Sequence, residues 1–164
     1  DQRASLTDRF RPRFSQIAFL IQMPYVDLEI EAAKRKGSAL TDLDKKDIAS
    51  RAAYARTWLK THAPDEFRFT LQEESLPEQA RAFGDTHKHA FKEILEYITS
   101  QDKLDGQELH TKLHEIRKAS GLEPKEFFGA LYIAFLGKDH GPKAGWFLSV
   151  LDKSFLEKRL RACL

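Results

Sequence analysis

The 164 residues contain one cysteine, one methionine and two tryptophans. Cys163 has no partner within the chain, which excludes an internal disulfide framework and a thiolate zinc site and fits a reducing, cytosolic setting. No apolar run reaches the length of about 18 residues that a membrane span needs. The segment Asp1–Asp8 lacks the apolar stretch of a signal peptide. A soluble, cytoplasmic protein is therefore expected. Glycine-rich phosphate loops are missing too: Gly137, Gly141 and Gly145 are spaced too widely and follow a helical pattern rather than a strand. The chain begins at Asp1 without methionine and runs almost at once into an apolar segment, which reads as a cut from a longer polypeptide.

Charge is present in bulk but almost balanced, at +2 overall. It is unevenly placed. Residues 1–36 carry seven basic and five acidic side chains, residues 37–123 thirteen and sixteen, and residues 124–164 seven and four. The positive excess sits at the two ends, as a local basic surface for an anionic partner would require; a solvated helical face is the alternative.

Hydrophobic spacing is helical wherever it is regular. Phe14, Ile17, Ala18 and Ile21 fall at i, i+3, i+4 and i+7 before Pro24. Thr41 and Asp44 resemble a capping box ahead of Ile48, Ala52, Ala55 and Leu59, a run that stops at Ala63-Pro64. Phe67, Phe69 and Leu71 alternate, but the stretch is short and precedes the polar run Gln72–Ser75, so it reads as an extended connector between two lobes. Beyond Pro77 comes a helix broken early by Gly84 and lined by Phe91, Ile94, Leu95 and Ile98. Leu109, Leu113 and Ile116 mark a helix closed by Gly121, and Pro124 to Gly137 the next. Pro142 opens another, and Asp152 caps a last one bearing Phe155, Leu156 and Leu160. The fold class is all-α, with about seven or eight helices. The expected lobes are residues 1–75 and 76–164, or one continuous domain over 1–164.

Candidate chemistry is sparse. His110 and His114, at i and i+4, share a helix face, but Thr111-Lys112-Leu113 between them supplies no glutamate of the H-E-x-x-H zinc motif, so they read as exposed histidines and no metal site is expected. Acidic pairs such as Glu93 and Glu96 lack a polar pocket or a base partner, so no catalytic residue is assigned. The informative segment is Gly137-Lys138-Asp139-His140-Gly141-Pro142-Lys143-Ala144-Gly145-Trp146-Phe147. One helix ends, a polar loop turns and another helix begins. Unpaired N–H groups at a helix start attract anions, and Lys138 and Lys143 flank that point. Lys143, Trp146 and Phe147 at i, i+3 and i+4 place a cation and an aromatic on one face, suited to an unstacked RNA base. An ordinary core stripe of Trp146, Phe147, Val150 and Leu151 has the same spacing.

The run FFGALYIAFLGKDHGPKAGWFLSVLD, residues 127–152, closely resembles the final helices of class I lysyl-tRNA synthetases. FLIQMPY at 19–25 and YARTWLKTHAPDEFRF at 54–69 are similar to that family in the same order. The pattern of leucine helix, glycine and G-P turn is also loosely similar to the C-terminal helices of glutamyl-tRNA synthetases. The resemblance implies a helical cage that binds the anticodon of lysine tRNA, while a separate Rossmann-type domain of the same polypeptide attaches lysine using ATP and Mg. The HIGH-type and KMSKS-type signatures of that chemistry do not occur between Asp1 and Leu164, so no cofactor is expected in this chain and it is expected to be non-catalytic by itself. Carried onto the matching motif, the implied tRNA-binding residues are Lys138, His140, Lys143, Trp146 and Phe147, with Gly137, Gly141, Pro142 and Gly145 shaping the turn. A helical protein-interaction domain with incidental basic ends is the competing function.

Overall fold

The computed structural model describes Phe10 and residues 12–164. Nine α-helices and one short 3-10 turn, with no strand, make up the regular structure among the described residues. Seven of the helices have seven residues or more. The chain divides into two compact units after Phe69, inside the alternating aromatic segment. Of the basic N-terminal residues, Arg3, Arg9 and Arg11 lie outside the described part, as does the Asp1–Asp8 segment.

The first unit holds α1 (Phe14–Leu20), α2 (Leu28–Lys36), α3 (Asp42–Thr61) and the 3-10 turn Asp65–Phe67. Ile17 and Ala18 of α1 pack on Ala52 and Ala55 of α3, four residues that are almost fully buried. Small residues on α3 let the helices approach, and larger rings close the margin. Phe14 meets Tyr54 and Trp58 edge-on at 5.7 and 5.4 Å, and Trp58 in turn meets Phe67 at 5.4 Å. Thr41 caps α3 with a reciprocal box: its hydroxyl accepts from the Asp44 amide and its own amide donates to the Asp44 carboxylate. Asp44 is buried and also receives Lys36 Nζ at 2.6 Å. That ammonium and the Thr41 amide hold the carboxyl below the usual carboxylate range.

Helix α2 is not foreseen by periodicity, because it buries only Ala32. Its signals are all at the ends. Asp27 accepts from the Ile30 amide, Glu29 and Glu31 occupy the first turn, Lys34, Arg35 and Lys36 the last, and Gly37 closes it at φ 81°. Charges so placed complement the helix dipole.

The second unit holds α4 (Glu78–Arg81), α5 (Asp85–Ser100), α6 (Gly106–Ser120), α7 (Pro124–Leu136), α8 (Ala144–Ser149) and α9 (Lys153–Ala162). Phe91, Ile94 and Ile98 from α5, Leu109 and Leu113 from α6, Phe127, Leu131 and Phe135 from α7, Phe147 and Leu148 from α8, and Leu156 and Leu160 from α9 are fully buried. Each such side chain contributes about 1.5–3 kcal/mol by leaving water. Helix α8 packs chiefly on α6, and α9 on α5. Gly84 separates α4 from α5, and Asp152 caps α9 by accepting from the Phe155 amide.

Residues after Phe69 are tied into this second unit. The Gln72 amide donates to Phe135 O at 2.8 Å, and its carbonyl accepts from Arg159 Nη2. Arg159 is buried with its guanidinium 5.5 Å over the Phe155 ring. Beside it, burial pushes the Cys163 thiol up to about 11, which leaves it un-ionised and a poor nucleophile. No helix among the described residues is long and apolar enough to cross a membrane.

Candidate functional site

The corner between α7 and α8 is built by three glycines, each for a different reason. Gly137 ends α7 in the left-handed region at φ 70°, with its amide on Ile133 O at 2.9 Å. Gly141 lies flat on the preceding helix, where a Cβ would come within 2.8 Å of Tyr132 Cδ1 and 3.2 Å of Leu136 Cδ1. From that contact the Tyr132 hydroxyl donates to Pro142 O at 2.5 Å and clasps the loop to α7. Burial pushes the Tyr132 phenol up to about 12, so it remains a donor at any physiological pH.

Gly145 is the tightest of the three. A Cβ there would stand 2.3 Å from His110 Cβ and 2.5 Å from Gly106 O, so the backbone of α8 rests directly on that of α6. On the facing helix Gly106 is similarly confined: a Cβ there would stand 3.1 Å from Ser149 Oγ and 3.2 Å from Trp146 Cα. At this contact the Gly145 amide donates to His110 Nδ1 at 3.1 Å. His110 Nδ1 must then carry a lone pair and Nε2 the proton. Nε2 lies 3.1 Å from His114 Nε2, so the His110 N–H donates there and His114 keeps its proton on Nδ1. Phe128 stacks on His110 at 5.9 Å and meets His114 at 5.0 Å. Burial, then His114, then Lys143 lower the His110 pKa.

These histidines are half-buried and engaged, not the exposed pair that their spacing suggests. Their tautomers also oppose a shared metal, since His110 would need to lose its Nε2 proton while Nδ1 is already accepting. Among the described residues no group of three or more His, Cys, Asp or Glu side chains is placed to hold a metal ion.

The five residues singled out by the motif separate clearly in space. Lys143 is exposed and stands at the N-cap of α8, its carbonyl accepting from the Phe147 amide at 2.9 Å. His140 is exposed on the loop with Nδ1 3.2 Å from Asp139 Oδ1, and Lys138 is half-buried beside it. Trp146 is half-buried. Phe147 is 0% exposed, held between Tyr132 at 6.2 Å and Phe135 at 6.0 Å. Of the two aromatic residues, Trp146 keeps some exposure, while Phe147 is core and shapes the corner from behind. Helix α8 begins at Ala144 rather than Pro142, and one of its leading amides is already taken by His110. The helix start therefore offers fewer amides than a start at Pro142 would suggest.

His110, Tyr132 and Gly106 are the structural members of this site that residue patterns missed. His110 and His114 had a visible signal in their spacing, but nothing local showed which residue they face.

The model of the anticodon binding domain family matches residues 46–164. The chain is similar to the lysine–tRNA ligase of Pyrococcus horikoshii, 33% identical over 153 residues that cover 90% of this chain and 29% of that protein. Against the lysine–tRNA ligase of Archaeoglobus fulgidus it is 31% identical, covering 92% of this chain and 30% of the relative. The Methanosarcina barkeri lysine–tRNA ligase is 30% identical over 162 residues, covering 89% and 30%. A helical unit with a glycine-lined turn between α7 and α8, matched by the family model over most of the chain, places the protein in a defined class: it belongs to the anticodon binding domain family. It spans somewhat under a third of the length of these three relatives.

Proposed function

We propose that the chain recognises the anticodon of lysine tRNA as part of a class I lysine–tRNA ligase. The observation that carries this reading is its similarity, over about nine-tenths of its length, to one segment of lysine–tRNA ligases. The corner supports it chemically. Lys143 offers an exposed cation for a backbone phosphate, His140 and Lys138 line the approach, and the solvent side of Trp146 offers a face to an unstacked base. Lysine activation, with its ATP and Mg, is assigned to a catalytic domain elsewhere in the ligase, because the phosphate-binding signatures of that chemistry are not among these 164 residues.

Titration of the chain with lysine tRNA at two salt concentrations tests the reading. The logarithm of the affinity should fall linearly with log salt as bound phosphates release counterions. A transcript with its anticodon uridines replaced should bind more weakly, because the hydrogen bonds that read the uridine edges are lost while stacking persists. Absence of binding at low salt, or affinity indifferent to salt, overturns the RNA reading and favours a protein partner. Equal affinity for both transcripts removes the anticodon from the site.

A further inference from the structure

His110 and Gly145 are 35 residues apart in sequence and meet at the point where α8 begins. We propose that His110 is a positioning residue for the Gly137–Phe147 corner, gripping the first turn of α8 through Nδ1, and that a proton on Nδ1 releases the corner and weakens tRNA binding. This rests on the tRNA-binding reading above.

The chemistry follows from the hydrogen bond. Nδ1 accepts the Gly145 amide only while it has a lone pair, and imidazolium has none. Protonation would set N–H against N–H and put a cation beside the positive end of α8. The ring has no nearby place to go. Gly145 already lies against His110 Cα and Cβ with no room for one further carbon, and Phe128 covers the ring from α7. Among the described residues no anion acts on His110 to compensate. The charges acting on His110 come from His114 on its own helix and Lys143 before α8, both unfavourable to imidazolium. Helix α8 itself, AGWFLS, has no ionisable side chain.

The sign is therefore defined. His110 has a folded-state pKa below its ordinary value. Its grip is complete above the ordinary histidine value of about 6.5 and is lost as pH falls through the folded value.

The test compares the 164-residue chain with H110N and H110L, by nitrogen-detected imidazole NMR, by thermal melts and by lysine tRNA titration between pH 5.5 and 8. Asparagine places Oδ1 near the position of Nδ1 and accepts without titrating. In the unmodified chain Nδ1 should be the unprotonated nitrogen of His110 at neutral pH. Its tRNA affinity should fall by at most about tenfold from pH 7.5 to 5.5, the ceiling for one proton with a pKa no higher than about 6.5. H110N should bind as tightly as the unmodified chain at pH 8 and lose less on acidification, and H110L should bind weakly throughout. A proton on Nδ1 at neutral pH, an H110N protein with the unmodified pH profile in both melts and titrations, or H110L with full affinity overturns the proposal. If none of the three binds tRNA at any pH, the anticodon reading fails. The NMR tautomer and the difference in melting between the unmodified chain and H110N then still decide whether His110 positions α8.

Discussion

In the first unit α1 meets α3 through edge-to-face contacts of Phe14 with Tyr54 and Trp58, extended by a tilted contact of Trp58 with Phe67 of the 3-10 turn, over a small aliphatic contact. In the second, α8 meets α6 through Gly145 and Gly106 with a histidine between them. Ring edges slide, and their attractions are worth about 0.5–1.5 kcal/mol per pair, so the first arrangement yields by degrees. Backbone on backbone has no such slack. On the proposed tRNA reading, a turn that presents Lys143 and Trp146 at fixed positions gains from the second arrangement, while the first unit leaves Tyr54 at 68% and Tyr25 at 97% exposure.

The difference can be broken most severely at Phe147. Replacement by alanine should cost about 3–5 kcal/mol in urea denaturation, as for a fully enclosed ring; a loss below about 1 kcal/mol would show that the ring is not core. Gly145→Ala comes next. Its methyl group has no room against the α6 backbone, so about 3 kcal/mol should be lost to strain, with tRNA affinity falling as the corner shifts. Near-normal stability would mean that α6 and α8 part easily and that their packing is not rigid.

In the first unit, Trp58→Ala should cost about 2 kcal/mol, from two ring pairs and partial burial, with Trp58→Phe recovering much of it. A larger loss than at Gly145 would invert the comparison. The smallest effect on folding belongs to Lys143→Ala, within about 0.5 kcal/mol for an exposed cation. Its effect should appear instead in binding, as a weaker affinity and a salt slope reduced by about one. Unchanged affinity and slope would remove Lys143 from the RNA surface.

Much of the architecture was legible because it is written in short range. Capping at Thr41 and Asp152, closure at Gly121 and Gly137, the Pro124 start and the break at Gly84 all depend on residues within a turn of one another. Helix α2 was missed because almost none of its surface is buried and its caps were not sought without a periodic face. At the site, Lys143 and His140 sit on the surface, whereas the shared spacing of Trp146 and Phe147 did not show which ring faces inward.

The sequence by itself therefore determined the all-α class, most helix ends and the segment in which the candidate site lies, since periodicity and capping act over three or four residues. Only the tertiary structure decided that Phe147 is enclosed while Trp146 is half-open, that Tyr132 clasps Pro142, and that His110 commits its Nδ1 to Gly145. Which residue fills the space above a glycine is a property of the neighbouring helix, and in a bundle that neighbour is chosen by packing across tens of residues rather than by any local rule.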